Sequence, residues 1–144
     1  MKDTFGISSA QVQIFLNRTG SDVQSGFPGQ EDFILSLVFI VTWSEVLFYR
    51  ASRDQFLSVR NPFQIVLTTD GTKSFVMLHY LKLDWARNAM VGFNAGDGIS
   101  SYTVNGSLSD DVINLVYRST VGVPGKFLFR VDRGAIQPAY ETIS

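Results

Sequence analysis

The chain has no cysteine among its 144 residues. That excludes a disulfide framework, a thiolate metal site and a cysteine nucleophile. It leaves the compartment open, because a domain with a sufficient core stands without disulfides inside or outside the cell. Histidine is nearly absent too, with His79 the single one. Charge of one sign is missing: twelve basic residues face thirteen acidic ones, for a formal net charge of −1, and Lys and Arg do not cluster. The chain therefore lacks the electrostatic footprint of a nucleic-acid or anionic-membrane partner. Long hydrophobic runs are missing as well. The longest, Phe33 to Val41 with Ser36 inside it, has nine residues, about half of the roughly 20 that span a bilayer as a helix. It reads as a buried strand, and no membrane insertion is expected. Met1 is followed by the polar Lys2-Asp3-Thr4, so no secretory signal is visible and the chain itself supplies no targeting.

What is present is apolar and aromatic. Hydrophobic residues make up 45% and charged ones 17%, with twelve Phe, five Tyr and two Trp. This composition suits a folded core and favours sheets, whose pleated surface fits aromatic rings. The length suits one domain.

Val12 to Leu16 alternates weakly and is a candidate first strand. Ser21 to Phe27 reads as a short helix, with Ser21 or Asp22 as N-cap, ended by Gly26, Pro28 and Gly29. Leu37 to Trp43 is the strongest strand signal. Its continuous apolar character predicts cover on both faces, and Val46 to Tyr49 reads as its continuation after a bend. Ser52 to Asn61 is polar and reads as a loop. Phe63 to Thr68 and Ser74 to Tyr80 are strands, joined through Asp70-Gly71, a pair that tolerates positive φ and marks a hairpin. Ser109 to Arg118 fits either a short helix, with Ser109 as N-cap, or a strand. Val123-Pro124-Gly125 is a turn. Lys126 to Asp132 alternates and reads as the last strand, with one solvated face, and the tail from Arg133 reads as loose. The expected fold is β-rich α+β: an antiparallel sheet or sandwich with one or two short helices.

Chemistry-bearing patterns are few. His79 lies between apolar neighbours in a strand, where a histidine is more often structural than catalytic. No nucleophile elbow, zinc helix or phosphate loop is present. Gly92 to Gly98 contains Asn94, Gly96 and Asp97. It lacks the Lys-Ser/Thr of a phosphate loop and the spaced acids of an EF-hand, so it reads as a tight turn. Asp110-Asp111 reads as acids at a helix N-terminus rather than half of a catalytic pair. No cofactor is implied. Two sequons, at Asn17 and Asn105, are candidate N-glycosylation sites.

Five segments in order resemble the nidogen-like (NIDO) domain. Val38 to Tyr49 is similar to that family's aliphatic run followed by Thr-Trp and an aromatic pair. Asn61 to Leu67 with Asp70-Gly71 resembles its hairpin, Phe75 to Tyr80 the return strand, and Trp85 the tryptophan after it. Ala89 to Gly98 resembles Ala-Gly-Phe-Asn-Ala-Gly-Asp-Gly. Val121 to Asp132 resembles Asn-Val-Gly-Val-Pro-Gly-Arg-Trp-x-Phe-x-Ile-Asp. The match runs from about Phe15 to Ala139. Between Trp85 and Gly92 the family's glycine-rich stretch is nearly absent, and Pro62 stands where Thr is usual.

The resemblance implies one domain over residues 1–144, starting after the family's N-terminal β-rich portion and so short of strands. It implies an extracellular, non-enzymatic module that binds extracellular matrix or cell-surface proteins in cell–matrix adhesion. It gives Asp70, Gly71, Gly96, Asp97, Pro124 and Gly125 a structural role in turns. Two other readings compete. One is a glycan- or small-ligand-binding β-sandwich using Tyr49, Tyr102 and Tyr117. The other is a hydrolase built on His79 and a carboxylate.

Overall fold

The computed structural model describes residues 9–52 and 59–139. Part of the expected loop over 52–61, residues 53–58, and the end of the tail, 140–144, lie outside the described residues. The chain opens with helix α1 (Ser9–Gly26). Seven strands follow: β1 (Leu37–Trp43), β2 (Phe63–Thr69), β3 (Ser74–Tyr80), β4 (Gly92–Asn94), β5 (Ser101–Thr103), β6 (Lys126–Arg130) and β7 (Gln137–Pro138). A 3-10 helix, Asp110–Tyr117, precedes β6. The main sheet is antiparallel in the order β1-β2-β3-β6-β7, and β4-β5 form a separate hairpin. The fold is β-rich α+β, with a helix on one face of the sheet and the hairpin and 3-10 helix on the other.

The two faces hold two cores because strand side chains alternate. On one face Phe75, Met77 and Leu128 pack with Val66 and with Val23, Phe27 and Phe33. The Phe75 ring lies 5.4 Å from Phe27 and 5.1 Å, edge-on, from Phe33. On the other, Val76, Leu78, Tyr80, Phe127 and Phe129 meet Val104, Val112 and Leu115. There Phe129 contacts Phe93 and Tyr102 at 5.2 and 4.7 Å.

Several expectations are corrected. Val12 to Leu16 is not a strand but lies inside α1, which runs 18 residues rather than one short segment from Ser21. The alternation misleads because Val12 and Ile14 are solvent-exposed, while Phe15, Thr19 and Val23, spaced by four, face the sheet. Small residues permit the close approach: an added Cβ at Gly26 would sit 2.6 Å from a Leu128 methyl. β1 forms where expected, yet it is an edge strand and is not covered on both faces. Val46 to Tyr49 does not extend it. The Val46 carbonyl instead accepts from the Asn61 amide and the Trp85 indole. β6 is buried on both faces rather than one, because α1 closes the side expected to be solvated. It is also not the last strand: Gln137–Pro138 in the tail adds β7 beside it. Ser109 to Arg118 resolves as helical, with the Ser109 side chain accepting from the Asp111 amide.

Removing Phe75 opens a cavity against two rings that cannot close in. Phe75→Ala should therefore destabilise the domain by about 3–5 kcal/mol, read as the shift in urea unfolding. A loss below about 1 kcal/mol would show that α1 collapses onto the sheet without that ring.

Candidate interaction surface

Strand β1 meets only β2 among the described strands. Along it, Leu37, Phe39, Val41 and Trp43 share the face of Leu67 and Ile65, since directly paired residues of antiparallel strands point the same way. The β4-β5 hairpin and the 3-10 helix cover that face over β3 and β6 but stop short of β1. Leu37 is left 62% exposed, Phe39 57%, Leu67 42% and Trp43 39%. On the opposite face Ile40 is also exposed, beyond the reach of α1. Trp43 stacks on Phe63 at 4.7 Å, which fixes the end of the strip. The strip runs into a cleft of about 590 Å³ lined by Leu67, Ile65, Val76, Leu78, Phe93 and Ile136. Such a continuous apolar patch on a small domain marks an interaction site.

A different kind of row crosses the α1 face of the sheet. Thr42, Gln64, His79 and Lys126 sit side by side on β1, β2, β3 and β6. Gln64 donates to the Thr42 hydroxyl at 2.8 Å, and its carbonyl lies 3.2 Å from His79 Nδ1. Lys126 pairs with Asp22 of α1. The Gln64 carbonyl can only accept, so His79 donates from Nδ1, while Nε2 is buried and unpartnered by protein among the described residues. Burial first, and the Lys126 ammonium second, push the His79 pKa below its ordinary value; Arg18 adds to this and Asp22 opposes it. A pocket of about 300 Å³ adjoins the row, with Phe15, Arg18 and Pro124 among its walls. Among the described residues no carboxylate hydrogen-bonds the imidazole, and Asp22 is held by Lys126. Among the described residues, the carboxylate that a His79-based hydrolase needs is not brought to the imidazole.

The other residues marked from sequence lie apart from this surface. Asp70 accepts from the Thr72 and Lys73 amides, which hold its carboxyl below the usual range, and Gly71 has φ 97°. Asp97 accepts from the amides of Ile99 and Ser100 and from the Ser100 hydroxyl, which together hold it down to about 2. Asn94 accepts from the Gly96 amide in the same loop. No group of three or more His, Cys, Asp or Glu among the described residues could hold a metal. Gly125, after Pro124, has φ 76°, and a Cβ there would lie 2.0 Å from the Tyr80 carbonyl. Asp111 pairs with Arg118 and accepts from Asn114, while Asp110 is exposed at the start of the 3-10 helix. Asn17 is exposed within α1 and accepts from Gln13, whereas Thr19 of its sequon is buried. Asn105 is exposed in a turn, but Ser107 of its sequon is tied to both backbone groups of Val91. Tyr49 and Tyr117 are exposed and Tyr102 is packed on Phe129, so the three form no exposed row.

Sequence reasoning missed the apolar strip and the polar row. Both follow from register, which places Phe39 beside Leu67 and Gln64 beside His79 only once the strands are paired.

His79 also sets a pH response. The unfolded chain binds its imidazole proton near pH 6.5, and the folded chain binds it only at lower pH. The contribution is therefore complete above about pH 6.5 and is lost progressively as pH falls from there through the lower folded-state pKa. As the sole histidine, it should account for most of the drop in melting temperature between pH 7.5 and 5.5. In His79→Gln that drop should flatten; an unchanged slope would place its origin elsewhere.

Comparison with known proteins agrees with the geometry. The family model described as nidogen-like domain matches residues 3–133. Alpha-tectorin of Gallus gallus is 32% identical over 139 residues, covering 86% of this chain and 6% of that protein. Nidogen of Drosophila melanogaster is 30% identical over 141 residues, covering 89% and 10%. Protein mesh of Bombyx mori is 29% identical over 132 residues, covering 80% and 8%. The chain thus spans a tenth or less of the length of these relatives. No solved structure matches. With residues 3–133 matched by the family model, the chain belongs to the nidogen-like (NIDO) domain family.

Proposed function

We propose that this domain is a non-enzymatic extracellular adhesion module, associated with the matrix, whose partners are matrix or cell-surface proteins. The observation that carries the reading is the strip of Leu37, Phe39, Leu67 and Trp43, open to solvent beside a strand edge that no described strand pairs with. Apolar anchors of this kind supply most of the energy of protein contacts. The names of the relatives, nidogen and alpha-tectorin among them, support a place in matrix assemblies. No helix of the described residues is long and apolar enough to cross a membrane. In this reading Asn105, exposed at its turn, is the sequon that a glycan suits in the folded domain. Glycan binding through Tyr49, Tyr102 and Tyr117 has less support, since Tyr102 is spent in the core.

The test is retention of the purified domain on matrix laid down by cultured cells. Phe39 is exposed, so Phe39→Glu should leave the melting temperature nearly unchanged. Loss of one anchor of about 2 kcal/mol corresponds to roughly thirtyfold weaker retention. Retention equal to the parent would rule the strip out as the adhesive surface.

A further inference from the structure

Edge strands are normally guarded by charges, prolines, bulges or shortness. β1 has none of these. It pairs with β2 in unbroken register over seven residues, and no charged residue, proline or glycine occurs from Leu35 to Ser44. Its outer row of backbone groups has no strand against it among the described residues.

We propose that this edge is occupied by β1 of a second copy of the chain, antiparallel about a two-fold axis through Ile40. The proposal rests on β1 being an interaction edge, as in the adhesive reading, and names what sits on it. Side chains agree with the symmetry. With Ile40 opposite Ile40, Leu37 of one copy meets Trp43 of the other and Phe39 meets Val41, all on the open face, while Val38 meets Thr42 on the α1 face. Charges agree as well. Where β1 begins lie Glu31, Asp32 and Asp70 against Lys73, which bonds Asp32 at 3.2 Å. Beyond its end, Arg50 and Arg87 lie over Tyr49 and Phe48, and Lys82 pairs with Asp84 next to Trp85, which packs on Phe48. Antiparallel pairing lays the acidic start of one strand along the basic end of the other, and parallel pairing would set acid on acid. Exposed charges add little affinity but select the orientation.

The contact is small. Pairing one strand covers a few hundred Å² per copy, below the roughly 800 Å² of a standard interface, so the free domain should be mostly monomeric when dilute. Held at high local density, such domains would pair by avidity. The pairing leaves the Leu37–Phe39–Leu67 face open and joins two such faces into one wider surface.

The absence of cysteine gives a direct test. Across the axis, Cα atoms of facing residues lie about 4.5–5.5 Å apart, inside the roughly 4.4–6.8 Å that a disulfide spans. Ile40→Cys should oxidise readily to a covalent dimer with the parent's melting behaviour, and more slowly in high salt. Leu37→Cys, although more exposed, faces Trp43 and should stay largely monomeric under the same oxidant. Mixing the Leu37→Cys and Trp43→Cys proteins should restore the cross-link. Sedimentation of the unmodified chain should show mass rising with concentration.

Equal cross-linking at positions 37 and 40, or none at 40 with a concentration-independent monomer mass, would overturn the proposal. So would hydrogen-exchange protection of the outer β1 amides in dilute monomer, which would mark a strand from the chain itself. A domain that cross-links through residue 40 but is not retained on matrix would keep the pairing and refute the adhesive role. The reverse result would do the opposite.

Discussion

The structure depends on one strand that must be apolar in both directions. β3 sends Phe75 and Met77 toward α1 and Val76, Leu78 and Tyr80 toward the hairpin and 3-10 helix, and all five are buried. Its neighbour β6 does the same with Leu128 on one side and Phe127 and Phe129 on the other. Two cores share this pair of strands, so neither layer can be lost without stripping one face of the other's support. Each buried aromatic covers on the order of 150–250 Å², and that burial sets the places where α1 and the hairpin can sit. Gly125 follows from the same constraint. The chain entering β6 must bring its carbonyl within 2.8 Å of the Tyr80 amide, too close for any Cβ.

The polar row across the α1 face shows what that arrangement tolerates. A buried polar group costs free energy unless it is paired. Thr42, Gln64 and His79 satisfy one another in a chain, and Lys126 is neutralised by Asp22. Within this row only the His79 Nε2 has no partner among the described residues, and a buried acceptor left unpaired costs on the order of 1–3 kcal/mol. The histidine thus belongs to the packing of α1 on the sheet, and its titration touches stability rather than reaction chemistry.

The parts of the fold legible in the sequence are those specified locally. The β2-β3 hairpin is written in Asp70-Gly71, because the carboxylate caps two amides and glycine takes φ 97°. Ser109 signals its helix for the same reason. α1 is poorly legible: its contact positions include Thr19, Gly20 and Gly26, chosen for close approach to the sheet rather than for hydrophobicity. The alternation at Val12 and Ile14 points to the wrong period. β6 reads as half-solvated because Lys126 and Arg130 alternate with apolar residues. Yet Lys126 is turned to Asp22, and Arg130 is locked to Asp132 by two bonds of 2.9 and 3.0 Å. The interaction surface is least legible, since it exists only after strands distant in sequence are set side by side.

The misreading of β1 is the most informative. A continuous apolar strand is the pattern of a segment covered on both faces, and the composition of Leu37–Trp43 meets that description. Among the described strands it has one neighbour, and its faces are only partly covered. Apolar residues at an exposed edge carry a standing risk of uncontrolled association, and a sheet can lower that risk with a single lysine or proline at no cost to its core. β1 contains neither. The residues outside it are not similarly bare: β7, at the other edge, is two residues long and ends in Pro138. One edge is thus closed and the other left open within the same sheet. That asymmetry has a physical rationale if the open edge is covered in the working state, because a strand laid along it pairs the outer backbone groups of β1 that β2 does not reach.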